Sequence, residues 1–219
     1  MSLHDVFLKP YENYSYFQIT LELIATVFGI LSVYLSAKKN ILGYPIGIIS
    51  TMIYVYILFH FGLIGDGIIN VYYTIMNFYG WILWSKNTDD HIHVEVDWAS
   101  KKDWIWSGVL FIFSSLIVGF IYYYKPAIDN HFNSEGVELG FYHMDWANGL
   151  DILTTSIFLI GMWLMAKRKI ENWIFWIIGD LICIPMMMYK GLVITSLQYF
   201  VFTFISIKGF QEWKKMNVQ

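Results

Sequence analysis

The chain has 219 residues, of which 57% are hydrophobic and only 14% are charged. Soluble domains carry roughly 25% charged residues, so this composition predicts an integral membrane protein embedded in a lipid bilayer. The formal net charge is −3, which excludes the strongly basic surface expected of a nucleic-acid-binding protein.

Seven apolar segments follow one another along the chain, each close to the roughly 20 residues that cross a bilayer as a helix. They occupy residues 17–37, 41–61, 66–85, 103–124, 146–166, 171–189 and 193–212. Residues 1–16 are polar and aromatic, which is typical of a short interfacial segment. The predicted fold is therefore an all-α integral membrane protein with seven transmembrane helices in one membrane domain.

Lysine and arginine are distributed unevenly over the loops of this arrangement. Of the 14 basic residues, only Lys9, Lys125 and Lys190 fall on one side of the membrane, and the other eleven share the opposite side. Cytoplasmic loops carry the excess of basic residues in most membrane proteins. We therefore expect the N-terminus outside and the C-terminus in the cytoplasm.

The two ends of the chain match each other at an offset of 129 residues. The matched positions include Gly80 with Gly209, Trp84 with Trp213, and the basic run at 37–39 with that at 166–168. Residues 17–85, the first three helices, thus repeat as residues 146–212, and the helix at 103–124 links the two triplets. A single linking helix leaves both triplets in the same orientation. Parallel repeats of this kind occur in secondary transporters, whose substrate site lies near the membrane midplane.

Asp180 lies about halfway along the sixth predicted helix, where hydrocarbon surrounds a spanning segment. Trp176 and Trp173 precede it by four and seven residues, which places all three side chains on one helix face. A carboxylate at this depth is costly and by default indicates a functional site. The alternatives are a structural or protonated carboxyl group, ordinary packing for Trp176, and an interfacial position for Trp173.

The third and seventh helices offer further polar and aromatic groups for the same site. Asn70, Tyr73 and Asn77 follow one another at helical spacing on the third helix, and Gln198 and Tyr199 lie on the seventh. We interpret these five residues, with Asp180, Trp176 and Trp173, as substrate-binding candidates. Hydrogen bonding between helices is the alternative for the amides. Three tryptophans near helix ends are interpreted instead as an interfacial belt: Trp81, Trp84 and Trp213.

The two repeats differ in polarity at the candidate positions. Asp180 aligns with Thr51, and Trp176 aligns with Gly47. Differences of this kind suit the recognition of a ligand that is itself asymmetric.

The sequence predicts neither a metal site nor a cofactor. His91 and His93 lie two residues apart in a polar loop without cysteine ligands nearby. No nucleophile and base are paired in a convincing way, so we expect no enzyme activity, although a membrane-embedded enzyme is the remaining alternative class.

Several of these stretches resemble the PnuC-type nicotinamide riboside transporters of bacteria. The similar stretches are residues 65–84 (GDGIINVYYTIMNFYGWILW), 172–180 (NWIFWIIGD) and 189–192 (YKGL). The resemblance covers about residues 17–215. It implies a homotrimer in the bacterial inner membrane, related in architecture to SWEET sugar transporters. It also implies uptake of nicotinamide riboside, a form of vitamin B3 and a precursor in NAD biosynthesis, by facilitated diffusion with trapping by a cytoplasmic kinase.

The candidate residues agree with this substrate in their chemistry. Nicotinamide riboside joins a flat cationic ring, bearing a carboxamide, to a ribose. Aromatic faces suit the ring, a carboxylate suits the ribose, and Asn or Gln suits the carboxamide. A phosphorylated form would need a Lys or Arg near the midplane, where the sequence predicts none. The alternatives are a transporter, or a substrate-binding subunit, for another vitamin, nucleoside or sugar.

Overall fold

The computed structural model describes residues 15–60, 64–85, 96–130, 132, 136–189 and 193–217. These residues form seven α-helices, which confirms the predicted all-α fold. The helices are α1 (Tyr16–Ala37), α2 (Gly43–His60), α3 (Ile64–Ser85), α4 (Lys101–Asp129), α5 (Trp146–Ala166), α6 (Asn172–Tyr189) and α7 (Val193–Asn217). Residues 1–14, and the predicted loop histidines at 91 and 93, lie outside the described residues.

Five of these helices are long and apolar enough to cross a membrane: α1, α2, α4, α5 and α6. The remaining two, α3 and α7, carry more polar residues, among them Asn70 and Asn77 on α3 and Lys208 on α7. The chain is therefore a multi-pass membrane protein, and the spans of α3 and α7 remain predictions.

The predicted helix bounds differ most from the structure at two C-terminal ends. The fourth helix, predicted to end at 124, continues through Pro126 to Asp129, where Lys125 and Asp129 form an ion pair of 2.6 Å one turn apart. The prediction of a loop from residue 125 was wrong for this turn, because a proline and a pair of charges are typical of loops. The seventh helix likewise extends past the predicted residue 212 to Asn217.

Six helices, α1–α3 and α5–α7, form a closed ring, and α4 lies outside it. α2 packs between α1 and α3, and α6 packs between α5 and α7. The two triplets meet where α1 contacts α7 and where α3 contacts α5, while α4 packs mainly against α5. The space between the triplets is therefore bounded by helices from both ends of the chain.

Four of the six pairs of matching helix ends lie 129 residues apart. α1 ends at Ala37 and α5 at Ala166, and the next helices begin at Gly43 and Asn172. After each of these two ends, the chain turns through a residue in the left-handed conformation, Lys39 with φ 57° and Arg168 with φ 60°. We call the end of the bundle that carries these two turns the basic end.

Four aromatic side chains fill the core at the basic end. This basic-end cluster consists of Tyr44, Trp84, Trp173 and Trp213, each at most 2% exposed. The interpretation of Trp84 and Trp213 as belt residues was wrong, because belt residues face lipid and headgroups whereas these two are enclosed by protein. Trp81, in contrast, is 39% exposed.

Two hydrogen bonds of the basic-end cluster join the triplets. The Tyr44 hydroxyl donates to the Met165 carbonyl oxygen at 3.3 Å, and the Trp213 indole donates to the Ser36 carbonyl oxygen at 3.3 Å. Ser36 and Met165 are themselves 129 residues apart, so each triplet bonds the same backbone position of the other. The two triplets are thus held together at this end.

Candidate functional site

The Asp180 side chain is enclosed by protein between helices. It is 1% exposed, and its Oδ2 atom has no hydrogen-bond partner in the structure. Cys183 and Tyr199 lie within electrostatic range of this carboxyl group. Leaving a buried acceptor without a partner costs roughly 1–3 kcal/mol of folding free energy. The Oδ2 atom of Asp180 is therefore a candidate acceptor for a hydrogen bond from a ligand.

Four aromatic rings form a row beside this carboxylate, one from each of four helices. In this aromatic wall, Tyr73 of α3 lies 6.4 Å from Trp176 of α6 between ring centres. Trp176 lies 5.3 Å from Phe158 of α5 at an interplanar angle of 27°. Phe158 in turn stacks on Tyr199 of α7 at 6.0 Å and 4°. The wall therefore spans the junction between the two triplets.

Glycines on neighbouring helices make room for two rings of the wall. A Cβ added at Gly161 of α5 would lie 3.4 Å from two atoms of the Trp176 indole. A Cβ added at Gly179 of α6 would clash with the Phe158 ring. The indole Nε1 of Trp176 is buried without a hydrogen-bond partner, like the carboxylate one turn away. An unused donor and an unused acceptor thus lie one helical turn apart on the same helix.

Asn77 is also buried, but it packs within the first triplet. Its side chain is 6% exposed, and its Oδ1 atom lies 2.8 Å from where a Cβ of Gly47 would be. The amide therefore lies against the backbone of α2, close to Ser32. This placement agrees with the packing alternative, and a role for Asn77 in binding stays a prediction.

Asn70 and Gln198 lie among other polar groups of α1, α2 and α3. The Asn70 carbonyl oxygen accepts a hydrogen bond of 2.8 Å from Thr74. Gln198 reaches the hydroxyl of Tyr54, which also bonds the Thr26 hydroxyl at 2.8 Å. Gln198 of α7 therefore contacts the first triplet, and the part of both amides in substrate binding stays a prediction.

Trp173 belongs to the basic-end cluster and is not a ring of the aromatic wall. It is fully buried, its ring centre lies 5.4 Å from that of Trp213, and its Cε2 atom lies 2.7 Å from where a Cβ of Gly209 would be. Of the eight candidates, the structure brings together Asp180, Trp176, Tyr73 and Tyr199. Phe158 joins them, although the sequence analysis did not select it.

Apolar side chains pack around the wall. They are Ala147, Leu150, Cys183, Met186, Met187, Met76, Met162, Ala166, Tyr72 and Trp163. Helices α3, α5 and α6, which carry three of the four rings, contain no lysine or arginine within their bounds. Within the described residues, no group of three His, Cys, Asp or Glu side chains could hold a metal ion. The site therefore offers one buried carboxyl group, several π faces and a few hydrogen-bonding groups.

A helical membrane bundle that encloses a carboxylate and a row of rings between two matched triplets is the arrangement of a small-molecule transporter. A protein-family model described as Nicotinamide mononucleotide transporter matches residues 19–215. The chain belongs to this family, and it is a transporter and not an enzyme.

Several characterised relatives cover most of the chain. The nicotinamide riboside transporter PnuC of Escherichia coli (strain K12) is 24% identical over 206 residues, which are 88% of this chain and 84% of the relative. The protein of the same name from Neisseria mucosa is 24% identical over 206 residues, which are 88% of this chain and 71% of the relative. The riboflavin/roseoflavin transporter RibM of Streptomyces davaonensis is 17% identical over 197 residues. The chain is thus a vitamin transporter of the PnuC family, and the resemblance seen in the sequence is confirmed.

A solved structure supports the fold of the whole chain. The crystal structure of the Vitamin B3 transporter PnuC superposes with a TM-score of 0.63 at 20% sequence identity. The match covers 100% of this chain and 99% of that structure. The helical arrangement described above is therefore the PnuC fold.

Proposed function

We propose that this protein carries nicotinamide riboside across the bacterial inner membrane by facilitated diffusion. The observation that carries the proposal is the buried carboxyl group of Asp180, whose Oδ2 atom has no hydrogen-bond partner, beside the stacked rings of Trp176 and Phe158. A cationic aromatic ring attached to a sugar satisfies both features at once. The names of the relatives from Escherichia coli and Neisseria mucosa support the same substrate.

Each part of nicotinamide riboside has a matching group in the site. The pyridinium ring is a flat cation, and the face of an indole or phenol ring attracts such a cation. The Asp180 carboxylate can accept hydrogen bonds from ribose hydroxyls and lies near the ring's positive charge. Asn77 and Gln198 are the proposed partners of the carboxamide. The orphan Nε1 of Trp176 is a further donor.

The surroundings of the site favour the riboside over its 5′-phosphate. A phosphoryl group entering a membrane interior needs cationic partners, and arginine or lysine supplies them in most phosphate sites. Helices α3, α5 and α6, which carry three of the four rings of the aromatic wall, contain neither within their bounds. The family's descriptive name refers to the mononucleotide, so this is a point on which the substrate can be tested directly.

The proposed transport cycle rests on the two matched triplets. Helix ends 129 residues apart support two parallel three-helix repeats, residues 17–85 and 146–212, joined by α4. We infer that the repeats rock against each other in alternating access, with seven spans and the basic end in the cytoplasm. Assembly as a homotrimer is part of the same proposal.

Calorimetry and reconstituted uptake test the proposed substrate together. Purified protein should bind nicotinamide riboside and should be stabilised by it against thermal unfolding. Liposomes that contain this protein alone should take up the riboside, which would exclude a substrate-binding subunit that needs an energising partner. Absence of both heat and stabilisation would overturn the proposal, and ligand recovered chemically altered would point to enzyme chemistry instead.

Riboflavin is the second candidate because one relative is named as its transporter. A flavin is flat and aromatic and carries a polyol, so the aromatic wall could stack on it as well. A competition panel of nicotinamide riboside, nicotinamide mononucleotide, riboflavin, thiamine, a purine nucleoside and a sugar separates these cases. The compound that displaces labelled riboside at the lowest concentration identifies the substrate class.

A further inference from the structure

Arg168 has a buried guanidinium group whose bidentate edge has no hydrogen-bond partner. The side chain is 4% exposed, and its guanidinium carbon lies 4.4 Å from the centre of the Trp84 ring. Its Nε and Nη2 atoms have no hydrogen-bond partner. These two nitrogens form the edge that donates two parallel hydrogen bonds to a carboxylate or a phosphate. An oxyanion is therefore the ligand that suits the Nε and Nη2 edge of Arg168.

The described carboxylates near this turn are engaged elsewhere. Asp103 accepts a 2.5 Å hydrogen bond from Lys167, and both Glu171 oxygens accept from the backbone N–H of Ala99 at 2.8 and 2.9 Å. Asp97 lies 3.8 Å from the Lys169 ammonium group. Asp103 and Asp97 are thus paired with the two neighbouring lysines, Lys167 and Lys169, and no ion pair of Arg168 occurs among the described residues.

Lys39 adds a second positive charge beside Arg168. The two residues lie 129 positions apart, at the same left-handed position of their turns. Burial lowers the pKa of Lys39, and the nearby charge of Arg168 lowers it further. Burial also lowers the pKa of Arg168 to about 10, so its guanidinium group remains protonated at neutral pH. A buried cation without an anion is unfavourable, and a bound anion relieves this cost.

We propose that Arg168 and Lys39 bind the phosphoryl group of a soluble phosphate compound at the basic end. Arg168 supplies the bidentate contact, and the partly exposed Lys39 supplies the route from solvent and the second charge. Lys39 belongs to the first triplet and Arg168 to the second, so the bound phosphoryl group bridges them. It adds to the two hydrogen bonds that Tyr44 and Trp213 make between the triplets, and it therefore stabilises the arrangement in which the basic end is closed.

Thermal unfolding of the purified full-length protein tests this site with inorganic phosphate as the probe. Sodium phosphate is compared with sodium chloride at equal ionic strength and pH. Phosphate at ten times its dissociation constant should raise the unfolding midpoint by about 4 °C. Arg168→Lys retains the positive charge but loses the planar guanidinium group that donates two parallel hydrogen bonds. The variant should therefore bind phosphate at least tenfold more weakly. Lys39→Gln should weaken binding also, whereas the exposed Lys38→Gln is the matched control and should not.

Three further arms decide between sources of the effect. A nucleoside monophosphate should stabilise as inorganic phosphate does, because both present the same oxygens. Asp180→Asn should retain the phosphate effect, so a failure of the riboside proposal would not affect this result. Asp89, Asp90 and Glu95 are the acids of the sequence between α3 and residue 96. Changing them to amides should leave the stabilisation by phosphate unchanged. Equal stabilisation of Arg168→Lys and the unchanged protein, or no stabilisation at all, would overturn the site.

Discussion

Phe158 and Trp176 stack with 5.3 Å between ring centres, and both occupy positions where the first half of the chain has glycine. Gly29 and Gly47 lie 129 residues before them. The reverse difference occurs beside the two rings. Gly161 and Gly179 make room for them, and the first half has serines at the matching positions.

Because large rings in one triplet align with glycines in the other, the two triplets have different side-chain chemistry at matching positions. The second triplet presents large π faces and the Asp180 carboxylate. The first triplet is packed with small and polar groups, since Gly47 accommodates the side chains of Ser32 and Asn77. If the ligand binds between them, we expect one orientation for a ligand that has an aromatic end and a polar end.

Replacing Trp176 by alanine should weaken nicotinamide riboside binding at least tenfold, about 1.4 kcal/mol. The change removes the central ring of the aromatic wall and the Nε1 donor. Calorimetric titration of the purified variant measures the loss. Trp106→Ala is the matched control, because Trp106 is 53% exposed on α4, outside the ring of helices. Equal losses in the two variants would show that the effect is not local to the wall.

Asp180→Asn should also lower riboside affinity at least tenfold, because the amide keeps the shape of the carboxyl group but removes its charge. The same change should leave the unliganded protein as stable or more stable, since it removes a buried charge without a partner. Riboside titration and thermal unfolding without ligand measure the two effects. Asp129→Asn, at an exposed site on α4, is the control. Unchanged affinity in both the Asp180 and the Trp176 variants would place the site elsewhere.

Helix α5 shows why some bounds could be predicted to the residue. It begins after Asp145, whose side chain accepts from the backbone N–H of Asn148 at 2.9 Å, and it ends before a run of three basic residues. Such local signals are visible in a sequence. The end of α4 was missed because Pro126 and an ion pair over one turn have the composition of a loop, while the backbone continues as helix.

The site residues divide in the same way. Asp180 and Trp176 could be found because a carboxylate in an apolar helix is rare and helical spacing places the indole beside it. Phe158 could not be found, because one more phenylalanine in an apolar helix carries no signal. Its alignment with Gly29 is the only hint the sequence contains. The burial of Trp84 and Trp213 depends on neighbouring helices, so their spacing alone could not distinguish core from belt.

Tyr122→Phe should destabilise the packing of α4 against α5 by about 1–2 kcal/mol. The Tyr122 hydroxyl donates a 2.6 Å hydrogen bond to the Asp151 carboxylate, and bonds to charged groups contribute more than neutral ones. Thermal unfolding in detergent measures the loss. Tyr123→Phe is the control, because that side chain is 37% exposed and keeps its ring contacts in the variant. A loss of the same size in the control would contradict the assignment.

Gly209→Ala should destabilise the protein by roughly 1–3 kcal/mol, the usual cost of overpacking a core. The added methyl group would lie 2.7 Å from Cε2 of Trp173, a ring that is fully buried against Trp213 and has no free space to move into. Gly108→Ala on α4 is the matched control, since a Cβ there meets nothing within 4 Å. The control should be neutral or slightly stabilising, because alanine favours the helix by about 1 kcal/mol over glycine. Unfolding midpoints of the two variants should therefore move in opposite directions or differ by several degrees, and equal midpoints would show that α6 and α7 are less closely packed than the structure indicates.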